Sequence, residues 1–206
     1  MDNYLVMAQA AAKRFCTYDM EKLARKNGVE DLGESLATCF LGQRVLVSKA
    51  DGRVSFPALG READFGEALT VYDWLCDRKE TAKAAWEFCP VSSLPGVFVR
   101  GSGLSMSGGS LPAEIDQNPE KFMEKCRKLG GKPLNIGDIG VEILAFPDLP
   151  LRLKFYHADE DFPASLTLLW DKNTLDFLRY ETIYYLAGCL FSRLREPSPA
   201  ASPKRP

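Results

Sequence analysis

Three runs in the C-terminal third of the chain alternate apolar and polar residues with a period of two. In IGVEILAF, Ile139, Val141, Ile143 and Ala145 fall on one side. In LRLKFYH, Leu151, Leu153 and Phe155 alternate with Arg152 and Lys154, and in SLTLLW, Leu166, Leu168 and Trp170 share a side. A strand turns successive side chains to opposite faces, so this pattern predicts half-buried antiparallel strands with one apolar face. Pro147 and Pro150 punctuate the first connection and Pro163 the second. Residues 175–195 then read as one long helix, apolar over much of its circumference and therefore mostly buried. Gly188 inside it is expected to mark a close approach by another element.

Upstream, residues 3–26 are helical in character, with Leu5, Ala8, Ala12 and Phe15 at helical spacing. Thr17 or Asp19 splits the stretch by capping a second helix, and Asn27-Gly28 ends it. Residues 36–56 read as a small antiparallel meander with a turn at Asp51-Gly52. Helix returns over 62–88, with Ala63, Leu69, Tyr72, Leu75 and Cys76 on its apolar face. A helix over 118–131 has Asn118 as its N-cap and Pro119 at its first position. This order is not alternating βαβ; it predicts an α+β fold, antiparallel sheets packed against helices with a long buried C-terminal helix. The chain reads as one domain over 1–195, divisible into 1–90 and 113–195 about a Gly-, Ser- and Pro-rich loop, 89–112. Residues 196–206 read as a disordered tail, too poor in apolar groups to offset the entropy of ordering.

With 206 residues, 46% hydrophobic and 26% charged, the chain has the composition of an ordinary soluble globular protein. A formal net charge of -2 lacks the basic footprint of a nucleic-acid binder. No secretory signal is read at the N-terminus and no apolar run approaches a membrane span, so the expected address is the cytoplasm. The six cysteines, at 16, 39, 76, 89, 126 and 189, include no Cys-x-x-Cys pair. They read as reduced, scattered thiols, with Cys89 the most exposed.

The segments FLGQRVLVSKADGRVSF and LTVYDWL, and then FPDLPLRLKFYHADEDFPASLTLLWDKNTLDFLRYETIYYLAG, come in an order that resembles the bacterial and archaeal domain of unknown function 3786. The resemblance covers residues 1–194, and its most specific part is the DEDFPAS turn followed by LLWD and a helix carrying Glu181. It implies a setting in anaerobic metal or redox metabolism and a partner that is an iron–sulfur or other redox protein. It transfers no catalytic residue. Some members carry a preceding cysteine-rich iron–sulfur domain; the closely spaced cysteines of that domain are missing here, so no cluster is carried over.

The candidate polar site is His157 with Asp159 and Asp161, joined by Asp171 and Glu181. A histidine beside carboxylates suits a general base or an oxygen-rich metal site. The bland alternative is a turn of soluble acids beside a core-rim histidine, since His157 has the strand parity of Leu153 and Phe155. Asp171 suits a helix cap. Glu181, inside an apolar helix, calls for an ion pair, with Arg152 or Lys154 in reach. A second candidate is an anion loop at Arg100, Gly101 and Gly103, although it lacks the Gly-Lys-Ser/Thr ending of a phosphate loop. Trp74, Trp86, Tyr184 and Tyr185 read as core.

No complete catalytic set is assembled, and whether the chain is an enzyme stays open, as do its cofactor and oligomeric state. The leading expectation is an accessory module that binds a small ligand or a protein. The alternatives are an enzyme using His157 with nearby carboxylates, and a carrier of a metal or tetrapyrrole with His157 as axial ligand.

Overall fold

The computed structural model describes residues 3–97 and 109–195, with side chains from residue 6 onward. The anion-loop candidates Arg100, Gly101 and Gly103 and the tail 196–206 lie outside the described residues. The fold is α+β, with seven α-helices and two five-stranded antiparallel sheets among the described residues.

The first sheet runs in chain order: β1 (Glu30–Asp31), β2 (Ser35–Phe40), β3 (Gln43–Ser48), β4 (Val54–Phe56) and β5 (Arg61–Glu62). The expected meander is its centre. The second sheet contains β6 (Phe88–Pro90), β7 (Lys132–Leu134), β8 (Ile139–Phe146), β9 (Leu149–Tyr156) and β10 (Ser165–Asp171), in the order β6-β10-β9-β8-β7. Its register explains the period of two. The rows Ile139–Phe155–Leu166, Val141–Leu153–Leu168 and Ile143–Leu151–Trp170 cross β8, β9 and β10 side by side. All nine face the core, and all but Ile139 are fully buried.

The helices are α1 (Asn3–Phe15), α2 (Met20–Asn27), α3 (Phe65–Cys76), α4 (Leu111–Gln117), α5 (Pro119–Lys128), α6 (Thr174–Phe177) and α7 (Tyr180–Arg195). Asp19 caps α2 by accepting the Lys22 N–H, and Gly28 ends it with φ 61°. Asn118 caps α5 through the Lys121 N–H, with Pro119 at the first position.

Tertiary hydrogen bonds move several expected boundaries. Helix α3 stops at Cys76 rather than continuing to 88. Beyond it the Lys79 N–H donates to the Asp176 carbonyl, and the Ala85 and Trp86 N–H groups donate to the Asp171 carboxylate. Those donors are lost to a helix, and the chain enters β6 instead. Trp86 has φ 59° and is 55% exposed, so it is not core. The expected loop 89–112 thus contains most of β6, a 3-10 turn at Val91–Ser93 and the start of α4. The C-terminal helix is broken into α6 and α7 at Leu178, whose backbone is extended. Gly188 meets nothing within 4 Å, so no close approach explains it.

The two sheets meet at a two-residue hairpin. Leu41 and Gly42 join β2 to β3 with φ 47° and 73°. Positive φ at both positions gives the turn a twist that matches the strands, at a strain of about 1–2 kcal/mol for a residue such as leucine. Complete burial of Leu41 and a 2.9 Å hydrogen bond from its N–H to the Ala145 carbonyl of β8 hold it there. A Cβ on Gly42 would lie 2.5 Å from the Leu129 carbonyl carbon. Behind the hairpin runs a file of rings. Phe56 packs on Phe40, Phe40 on Phe146, and Phe146 stacks on Trp74 of α3 at 4.4 Å and 3°. Each such buried ring stabilises by about 2–3 kcal/mol.

Helix α3 carries a buried carboxylate toward each of its ends. Near its start, Glu67 receives both terminal nitrogens of Arg61 at 2.7 and 2.9 Å and Arg193 of α7 at 2.7 Å. It also closes a capping box with Asp64. The Arg193 guanidinium lies 4.8 Å from the Phe56 ring centroid, a desolvated cation over an aromatic face. Burial pushes the Glu67 carboxyl up, but the hydrogen bonds of Arg61 and Asp64 and the charge of Arg193 outweigh it and hold it below the usual range.

Two predictions follow from this packing. Gly42→Ala should destabilise by about 2–4 kcal/mol, from left-handed strain plus overpacking. Gly188→Ala, in open space on a helix, should stabilise by about 0.5–1 kcal/mol. Urea unfolding of both variants checks the contrast. For Glu67, a depressed folded pKa means stabilisation that is complete above the unfolded value near 4.5 and is lost as pH falls through the folded one. Glu67→Gln should therefore cost about 3 kcal/mol at pH 7, and its gap to the wild type should narrow as pH drops below about 4.5. Unfolding curves across that pH range measure this.

Candidate functional site

The acidic corner forms where β9 ends and the chain turns toward β10. Asp159 Oδ1 accepts the N–H groups of Asp161 at 2.9 Å and Phe162 at 2.7 Å, and the Asp159 N–H donates to the Phe162 carbonyl. Asp159 is thus occupied in closing its own turn. The His157 N–H donates to Asp138 Oδ2 at 2.8 Å, and its Nδ1 lies 2.7 Å from Asp116 Oδ1. Its ring stands edge-on to Phe155, but the side chain is 44% exposed rather than enclosed at the core rim. With Asp116 accepting from Nδ1, the neutral imidazole has Nε2 as its acceptor, the arrangement of a base oriented by a carboxylate. His157, Asp159, Asp138, Tyr156 and Phe162 line a cleft of about 590 Å³. Asp161 is exposed in the same turn.

Asp171 and Glu181 do not join them. Asp171 is fully buried at the opposite end of β10, where it accepts N–H groups from Ala85 at 2.9 Å, Trp86 at 2.6 Å and Asn173 at 2.9 Å. Glu181 is exposed in the first turn of α7, not buried. Its expected partners are engaged elsewhere. Arg152 pairs with Glu142 at 2.9 Å and lies over the Phe88 ring, and Lys154 lies over Tyr156.

A second concavity, about 610 Å³, opens between α1, α3 and α7. Asp73, at the C-terminal half of α3, accepts the Arg179 N–H at 2.8 Å and the Thr182 hydroxyl at 2.6 Å. It thereby satisfies donors at the start of α7 as a capping side chain would. One turn further, Asp77 Oδ2 takes the guanidinium of Arg179 at 2.7 Å and that of Arg14 from α1. Asp73 and Asp77 influence each other, and their pKa values are displaced in opposite directions. Burial, then Asp77, pushes Asp73 up. Burial also opposes charge on Asp77, but Asp73 and Arg14 outweigh it and bring Asp77 down. Of the two carboxyls, Asp73 is thus the one that keeps a proton to higher pH. Tyr72 beside it is pushed up to about 12 by burial and donates to the Gly52 carbonyl at 2.6 Å.

Neither Asp73 nor Asp77 stood out from sequence, yet a signal existed. Two acids at i, i+4 repel on a helix, and Asp73 sits among the apolar residues of VYDWLC. Asp116 gave no comparable signal, because its partner lies 41 residues away. All six thiols are free, and the exposed one is Cys39, whereas Cys89 is half-buried and burial pushes its thiol up. Among the described residues, no group of three His, Cys, Asp or Glu side chains is placed to hold a metal ion.

The protein is therefore an α+β domain protein in which His157 and Asp73 line separate concavities. A family model described as a domain of unknown function (DUF3786) matches residues 19–193, and the chain belongs to that family. No curated protein and no solved structure matches it.

The contrast between Asp171, buried at the end of β10, and His157, half-exposed beyond β9, is measurable. Asp171→Ala should cost about 3 kcal/mol, because it leaves buried backbone donors without an acceptor. His157→Ala, which breaks a half-exposed pair, should cost less than about 1 kcal/mol. Thermal unfolding of the two variants checks both values.

Proposed function

We propose that this protein is a small-ligand-binding module whose ligand sits in the cleft between α1, α3 and α7. The observation that carries this reading is Asp73 with Arg14 and Arg179 on the wall of that cleft, the two cations held from behind by Asp77. Coupled acids with displaced pKa values, held against cations in a concavity, are characteristic of binding and catalytic sites. The remaining wall is largely apolar, from Met7, Ala10, Ala11, Leu69 and Tyr185. That combination suits a ligand with an apolar body and a polar end.

The same proposal places the protein in the cytoplasm, in anaerobic metal or redox metabolism beside an iron–sulfur or other redox partner. No helix among the described residues is long and apolar enough to cross a membrane, which supports the first part. The second part rests on the family resemblance alone. A second reading, an acid–base enzyme, has one observation in its favour: the His157–Asp116 hydrogen bond at the edge of the other cleft.

Amide-resolved NMR of the full chain against a small-molecule fragment library tests the first reading. The expected result is a set of hits that move Ala10, Ala11 and Leu69 and disappear in Ala11→Trp, which fills the cleft. Hits gathered instead around His157 and Phe162 would transfer the ligand site to the other cleft, and their absence everywhere would end the proposal.

A further inference from the structure

We propose that the cleft between α1, α3 and α7 takes a small monocarboxylate, its head group held by Arg14 and Arg179 and its apolar body laid along α1. This rests on the ligand-cleft reading above and names the class of ligand.

The two guanidiniums come from different elements, Arg14 from α1 and Arg179 from the residue preceding α7, and converge on a single oxygen, Asp77 Oδ2. The cations are the accessible part of the cluster. Their side chains are 41% and 53% exposed, against 16% for Asp77. A molecule entering the cleft therefore meets the two guanidiniums and the exposed Glu181 before it reaches Asp77. Each guanidinium has five N–H donors in a planar fork. Arg14 directs Nη2 at Asp77, and Arg179 directs Nη2 at Asp77 while its Nε lies 3.3 Å from Asp73 Oδ1. Donors remain on both forks, and a planar carboxylate matches that geometry.

The acids already in the cluster limit the charge of the ligand: Asp73 and Asp77 each hold a guanidinium, so a monoanion meets less repulsion there than a phosphate dianion does. Glu181 also lines the cleft and repels a second negative group. Apolar lining from Met7, Ala10 and Ala11 on α1, and from Leu69 on α3, gives the body of the ligand its contact. The cleft volume falls in the range of small-molecule sites.

The test uses the full-length protein with labelled arginine side chains. Octanoate and 3-phenylpropionate are titrated against their primary amides and against phenyl phosphate. The carboxylates are expected to saturate and to shift the Nε–H signals of Arg14 and Arg179. The amides and phenyl phosphate should bind at least about tenfold more weakly, the worth of one charge-assisted hydrogen bond. Arg14→Gln should weaken the carboxylates by about tenfold and leave the amides unchanged. The wild-type comparison stands even if that variant folds poorly. Amides binding as tightly as carboxylates, at the same residues, would overturn the monocarboxylate assignment and leave the cleft as the ligand site. Failure of these probes together with the fragment library to perturb the cleft would overturn both.

Discussion

The Leu41–Gly42 turn is the joint on which the structure hangs. It brings the tip of one sheet against β8 of the other, closely enough for the Leu41 N–H to reach the Ala145 carbonyl. Only a residue without a side chain fits at the second position, because the backbone of Leu129 occupies the space. The joint aligns Phe40 with Phe146, and Phe146 in turn presents a flat face to Trp74. The Trp74 ring is also tied at its edge, through Nε1 to Asp148 in the β8–β9 turn at 3.1 Å. Helix α3 is thereby fixed in position and rotation, which decides where its acids point.

Three buried carboxylates then organise the chain around that frame. Glu67 joins the start of α3 to Arg193, 126 residues later. Asp73 joins the same helix to the start of α7, 106 and 109 residues later. Asp171 fastens the irregular segment after α3 to the end of β10. A buried carboxylate is costly unless its oxygens are satisfied, so each of these contacts tolerates few alternative arrangements. Glu67 and Asp171 are saturated by their partners and act as structural anchors. Asp73 and Asp77 differ, because they share their cations with a cleft open to solvent.

Much of the fold was legible because its signals are local and periodic. The rows across β8, β9 and β10 follow directly from alternation, and Asp19, Gly28, Asn118 and Pro119 mark helix ends by chemistry confined to one turn. The four edge strands β1, β5, β6 and β7 were not legible, since two or three residues carry no period. The overrun of α3 to residue 88 and the joining of α6 to α7 have one cause. Local apolar spacing continues through both places, while distant carboxylates, Asp171 and Asp73, capture the N–H groups that a continuing helix needs. The acidic corner was legible as a turn, and His157 as its one imidazole, but its partner Asp116 comes from a different part of the chain.

By itself, then, the sequence determined the α+β class, the antiparallel strands with their buried face, most helix starts and the family. The tertiary structure alone decided which acids are buried and which meet. Alternation and capping are written within a few residues, where neighbours along the chain are neighbours in space. The Asp73–Asp77 cleft brings together α1, α3 and α7, and a hydrogen bond spanning a hundred residues leaves no periodic trace in the chain that makes it.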